Sequence, residues 1–249
     1  VKLGKRAPRH DVRTAHMIDY LHRAKLPSIP ASVDFFSGAP ADLGMMRNDA
    51  IGDCGFAGQA HAVQAWTLSR GHMVTLDDES IVTAYSGCTG YSESRPWFDP
   101  GVVLLDALKY WRSYGIGSHR ISAYMKVDAH NIAHVKTAIA LFGGVYTGAQ
   151  LPLSAQKPAP SETWTGSKHR LTGDDEPGSW GGHCMWASAY DDTSITYVTW
   201  GARRKADWQW WLNYADECWV CLSDDWVTAK DPAKSGFDLV SLQAYLAAL

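Results

Sequence analysis

The sequence predicts an α+β fold with a helical half ahead of a strand-rich, barrel-like half, and three observations carry that prediction. The clear helical periodicities all lie before residue 143. Runs of aromatic and β-branched residues at strand length crowd after residue 180. Helices first and strands later, without alternation, is the pattern of an α+β domain with two subdomains and a cleft between them. A chain of 249 residues with 46% hydrophobic residues can bury one large core or two smaller ones side by side.

Residues 1–29 read as a basic N-terminal arm, with Lys2, Lys5, Arg6, Arg9, Arg13, Arg23 and Lys25 against only Asp11 and Asp19. A short helix fits 14–23; Pro27 and Pro30 stop it and start an extended segment, and 32–36 reads as a strand. The domain proper is expected over 30–230, its helical half about 45–125 and its strand-rich half about 126–230. The clearest helix spans 52–70, with Phe56, Ala57, Ala60, Val63 and Trp66 at helical spacing and Gly71 ending it. A second fits 101–114, stopped by Gly115 and Gly117, and a third fits 131–142, broken by Gly143 and Gly144. Residues 145–151 read as a strand, and 152–180 as a long surface loop of Pro, Ser, Gly and charge. Segments 184–190, 195–200 and 208–222 read as strands, and 237–249 as a helix within a C-terminal extension, 231–249.

Composition excludes several classes. A net charge of -3 with 20% charged residues fits neither disorder nor a nucleic-acid binder with a basic face. No apolar run is long enough to cross a bilayer, and residues 1–13 carry no apolar stretch of a secretory signal. This places the expected location in the cytoplasm or a virion. The five cysteines (Cys54, Cys88, Cys184, Cys218, Cys221) are an odd count that suits no disulfide framework. Cys218 and Cys221 form a lone CxxC without a second pair or nearby histidines, so they read as buried thiols on opposite sides of a strand. No metal and no cofactor is expected. Trp208, Trp210, Trp211 and Trp219 read as core and sheet surface, and His61 and His72 as ordinary surface residues.

Two segments carry chemistry. In 48–57 a glycine-rich turn with Gly52 and Asp53 delivers Cys54 to the first turn of a helix, where free N–H groups and the helix dipole favour a thiolate. Asn48, six residues earlier, is an amide able to donate to an oxyanion beside the sulfur. In 179–187, Gly181 and Gly182 precede His183 at the opening of a strand, and the next side chain, Cys184, points to the other face.

With Trp200 and Gly201 following Thr199, these pieces resemble the papain-like cysteine peptidases. That family carries a helix-opening Cys after an oxyanion-hole Gln, then a late Gly-His, then a strand ending in Ser-Trp-Gly. The matching pieces are Asn48, Cys54, Gly182-His183 and Thr199-Trp200-Gly201, in the same order, and the resemblance covers roughly residues 30–225. It is similar as well to phage-encoded and bacterial chains with Gly-Asp-Cys and Gly-Gly-His. The resemblance implies Cys54 as nucleophile, His183 as base, Asn48 in the oxyanion hole, and Gly52, Asp53, Gly182 and Trp200 in support.

The departures are specific. Asn48 is shorter than Gln. The family's orienting Asn falls on Val198, which cannot bond to an imidazole, and Thr199 substitutes only if the strand slips by one residue. Asp53 sets a carboxylate next to the thiol, which opposes its ionisation. The usual bridging cysteines are missing, and the segment ahead of the matched region is too short for the family's long inhibitory pro-segment. Two classes of function follow. One is a cysteine peptidase or amidase, weak on generic peptides, acting on a peptide or protein. The other is a non-catalytic structural or binding protein on the same scaffold, such as a virion component, with the basic arm and the C-terminal helix docking a protein partner or neighbouring subunit. A compact cell-wall amidase with an Asp-Cys-Ser-Gly motif fits less well, because the spacing from Cys54 to His183 is too long.

Overall fold

The computed structural model describes residues 1–21, 28–159 and 162–227. The expected C-terminal helix and part of the arm lie outside these residues. The expected short helix at 14–23 is represented by one 3-10 turn, Met17–Tyr20. Among the described residues seven strands form one antiparallel sheet: β1 Val33–Asp34, β2 Ile121–Lys126, β3 Val145–Leu151, β4 Gly181–Tyr190, β5 Ser194–Thr199, β6 Ala202–Asp207 and β7 Ala215–Ser223. They run in the order β2-β7-β3-β4-β5-β6, with β1 paired to β4.

The strand-rich half is an open sheet, in place of the barrel-like closure expected. Its outer strands meet loop segments instead of each other. Lys126 of β2 donates to the Ala15 carbonyl at 2.8 Å, and Trp164 exchanges bonds with Lys205 and Asp207 of β6, both at 2.9 Å. Covering an edge this way satisfies its backbone without closure. Trp164 therefore lies buried inside the segment expected to be a surface loop.

The helices are α1 Cys54–Leu68, α2 Asp78–Thr89, α3 Leu104–Ser113, α4 Ile132–Phe142, α5 Trp208–Tyr214 and α6 Asp224–Val227. Two cores lie on the two faces of the sheet. One gathers α1, α2 and α3 against Tyr146, Cys184, Trp186 and Val198. The other packs α4 and α5 against Met185, Ala187, Tyr197 and Cys218. Cys218 and Cys221 fall in opposite cores, as a three-residue step along a strand requires. The five cysteines are free thiols.

The central helix α1 is buried all round from Cys54 to Thr67; Gln59 has no hydrogen-bond partner there, while three other polar side chains of the helix, His61, Gln64 and Thr67, pair internally. His61 is one of them. It is buried, not a surface residue: its Nδ1 meets Gln64 Oε1 at 2.8 Å, and Gln64 Nε2 donates to the Leu43 carbonyl at 2.8 Å. His72 is exposed.

The run expected as one strand over 208–222 is instead α5 followed by β7. Asp207 caps α5 by accepting from the Trp210 N–H at 2.6 Å. The buried Trp208, Trp211 and Tyr214 then share helical spacing, and Trp210 stacks on Trp164 at 4.7 Å. Helices α2 and α6 and strands β2 and β6 are elements that the sequence pattern left unassigned.

Candidate active site

The turn that leads into Cys54 is held from outside the motif. Asp99 accepts from the Gly52 N–H at 2.8 Å and from the Tyr85 hydroxyl at 2.6 Å, while Tyr85 accepts from the Gly101 N–H at 2.9 Å. This network fixes where α1 begins and hence where Cys54 sits. The Tyr146 hydroxyl donates to the Gly55 carbonyl at 2.9 Å and ties the first turn of α1 to β3.

His183 opens β4 and is buried. Its Nε2 meets Thr199 Oγ1 at 2.7 Å, its ring stacks on Trp200 at 4.4 Å, and its Nδ1 has no hydrogen-bond partner. Thr199, not Val198, faces the imidazole, and a β-bulge supplies the one-residue slip. In the β4–β5 ladder Tyr190 pairs Ile195 and Ala189 pairs Thr196, but Ala187 pairs Tyr197 and Trp186 pairs Val198. Ser188 is the extra residue. It reverses the in-out alternation of β4, so that Val198 goes with Trp186 into the helical core and Thr199 shares the face of His183. Trp200 and Gly201 close the β5–β6 hairpin as a two-residue turn with φ of 48° and 72°. A tryptophan at positive φ is unusual, and here that backbone sets the indole over the imidazole.

Cys54 is buried beside the backbone of Cys184, the residue after His183, and its sulfur takes backbone hydrogen bonds from Cys184 and Gly4. Burial pushes its thiol up to about 12, with Asp53 adding to the rise. Burial also raises Asp53 to about 8 against the pull of the Asn48 amide, so this carboxyl is largely neutral near pH 7. The dominant opposition to a thiolate is thus desolvation, with the charge expected on Asp53 secondary. Burial holds the His183 imidazole down to about 3. Asn48 is buried, with its amide donating to the Ile51 carbonyl at 3.2 Å.

The N-terminal arm adds to this burial, threading the cleft between the helical core and the sheet. Lys2 N–H donates to the Asn48 carbonyl at 2.8 Å, Val102 N–H to the Gly4 carbonyl at 2.7 Å, Arg6 N–H to the Val102 carbonyl at 2.9 Å, and Lys5 N–H to the Gly182 carbonyl at 3.1 Å. The walls approach so closely that a Cβ on Gly4 would sit 1.7 Å from the Gly52 carbonyl oxygen, and one on Gly182 would sit 2.3 Å from that of Lys5. Further along, Arg9 pairs with Asp106, and Lys109 with Asp11 at 3.0 Å. The described part of the arm lies on its own domain and fills the cleft that the sequence reading left without an inhibitory segment. Lys5, Asp99, Tyr85, Asp216 and Glu217 are site residues which that reading missed; Gly4, a glycine inside a basic stretch, was the one available sign of close backbone approach.

No protein-family model matches the chain, and no curated protein matches it in sequence. Solved structures do match in shape. Xylellain, a cysteine protease from Xylella fastidiosa, superposes with a TM-score of 0.64 at 15% identity, covering 88% of this chain and 95% of its own.

The fold is papain-like.

A cysteine protease of Carica candamarcensis matches with a TM-score of 0.54 at 14% identity over 78% of this chain and 99% of its own. A procathepsin B from Trypanosoma congolense matches at 0.59 and 10% identity over 90% and 86%. Within this papain-like fold, the described residues include no cluster of metal-binding side chains and no helix long and apolar enough to cross a membrane.

Proposed function

We propose that the chain is a cysteine peptidase or amidase whose cleft is closed, in the state described, by its own N-terminal arm. One observation carries this reading. The His183 ring is anchored through Nε2 and roofed by Trp200, while Nδ1 is left without a partner beside the strand backbone that touches Cys54. With Nε2–H donating to Thr199 Oγ1, Nδ1 is the free acceptor for the thiol proton.

The chemistry follows. Cys54 Sγ attacks the scissile carbonyl carbon as His183 Nδ1 takes its proton, and the carbonyl electrons move onto oxygen. The Cys54 N–H at the start of α1, and the Asn48 amide once turned from Ile51, would hold that oxyanion. Collapse breaks the C–N bond, His183 protonates the leaving amine, and a thioester remains on Cys54. Water attacks the thioester with His183 as base and regenerates the thiol. Thr199 is a positioning residue, acting through the imidazole. The substrate is an extended peptide, since the arm shows that the cleft walls accept peptide backbone on both sides.

The neutral, buried thiol and the Asn48 amide committed to Ile51 favour a second reading, a non-catalytic papain-fold scaffold such as a phage virion component. One comparison separates the two: peptide-library cleavage by the chain with its arm displaced, against the same chain carrying Cys54→Ala or His183→Ala. Cleavage abolished by either substitution supports the peptidase; no cleavage in any of the three leaves the scaffold.

A further inference from the structure

The arm is more than a plug, because one of its side chains enters a made-to-fit pocket. Lys5 has no exposed side-chain surface, which is rare for lysine unless it is paired. Its Nζ lies 2.8 Å from Asp216 Oδ2, 3.2 Å from Glu217 Oε1 and 3.3 Å from the Arg6 carbonyl. The stem fits because β3 carries glycine where it passes: a Cβ on Gly148 would sit 2.0 Å from Lys5 Cε. The neighbouring residues of β3, from Tyr146 to Ala149, are all buried, so this missing side chain is a cavity that Lys5 fills.

We propose that this pocket, floored by Gly148 and walled by Asp216 and Glu217, is a specificity site of the cleft for the lysine or arginine side chain of an extended peptide. What then happens to that peptide rests on the peptidase reading; the recognition itself does not. Without a cation, the pocket would hold two successive carboxylates. Glu217 is buried and, apart from Lys5, takes only the Trp219 Nε1–H on its Oε2 at 3.3 Å, while Asp216 Oδ1 receives no hydrogen bond. A buried carboxylate without a counter-charge is costly, so a pocket vacated by Lys5 favours the next cation to enter. Asp216 Oδ2 is steadied by the Gln150 amide at 2.6 Å, which leaves Oδ1 free for a second donor of an arginine fork. The backbone bonds from Lys5 and Arg6 to Gly182 and Val102 carry no side-chain information, so any extended peptide can repeat them. Selectivity therefore falls to the pocket. The pocket also adjoins the chemistry, because the preceding residue, Gly4, bonds the Cys54 sulfur.

The test uses the full chain with Gly4→Val, which drives the arm and Lys5 out of the cleft, combined with Cys54→Ala so that binding is measured without turnover. The probes are the hexapeptide Val-Lys-Leu-Gly-Lys-Arg and its form with norleucine as the fifth residue, titrated calorimetrically. The expected result is binding of the lysine form at least about tenfold tighter. Asp216→Asn and Glu217→Gln should each erase most of that preference. Asp216 reaches solvent, so its variant carries the test if Glu217→Gln does not fold. Equal binding of the two peptides, or a preference that survives Asp216→Asn, overturns the proposal. Restoring Cys54 separates the two readings. Lysine-selective binding without cleavage leaves the pocket standing and removes the peptidase; cleavage indifferent to lysine does the reverse.

Discussion

Gly4→Val should unmask Cys54. At position 4 a Cβ would sit 1.7 Å from the Gly52 carbonyl oxygen, so a valine cannot seat there and the arm must leave the cleft. The thiol loses the cover that holds it at about 12. At pH 7 a thiol of that acidity has a thiolate fraction of roughly 10⁻⁵, whereas a free cysteine near 8.5 has about 3%. Exposure alone thus predicts alkylation faster by about three orders of magnitude, and a His183 partner would add to it. The assay is iodoacetamide labelling at pH 7 with peptide-level mass spectrometry. Cys88, half-buried on α2, serves as internal reference. Tryptic cleavage after Lys5 or Arg6 confirms that the arm is displaced. A displaced arm with an unchanged ratio of Cys54 to Cys88 labelling would refute the reasoning.

Substitutions at four other positions have definite outcomes. Thr199→Ala should lower kcat/KM of the arm-displaced chain by about tenfold to a hundredfold with little change in KM, because the imidazole loses its anchor, and Thr199→Ser should restore most of it. Asp53→Asn should raise Tm by several °C near pH 8, at about 2–4 °C per kcal/mol, and by much less near pH 4. The sign follows from a folded-state value near 8 against an unfolded value near 3.9: this carboxyl's contribution is full below about 4 and is lost as pH rises through 8. His61 and His183, held near 4 and 3, act oppositely: stability present above about 6.5 is lost as pH falls toward 4, and His61→Gln should flatten that acid limb in thermal melts. Trp164→Ala should cost about 3–5 kcal/mol in urea unfolding, since it empties a buried stack with Trp210 and removes the indole N–H bond to the Ala155 carbonyl.

What the sequence disclosed was local. A glycine turn running into a helix placed Cys54, and two glycines opening a strand placed His183, because each is set by a few consecutive residues. Strand β3 was legible for the same reason: Gly143 and Gly144 separate it from α4, and residues 145–151 form it as expected. What depended on register or on distant chain was hidden. The Ser188 bulge leaves no compositional mark, yet it decides that Thr199 and not Val198 meets the imidazole. The arm's seat in the cleft depends on glycines at 4, 52, 101 and 182, which come together only in the folded chain. Helix α5 was hidden by its own aromatic residues, which read as strand until the Asp207 cap is taken into account.

The central claim is that Cys54 and His183 act as one catalytic pair once the arm is gone. It is tested most directly by the pH profile of Cys54 alkylation in full-length Gly4→Val, with and without His183→Ala. The account predicts a lower inflection well below the free-thiol value of about 8.5 when His183 is present, and a return to about that value in His183→Ala. The same profile in both chains would contradict it.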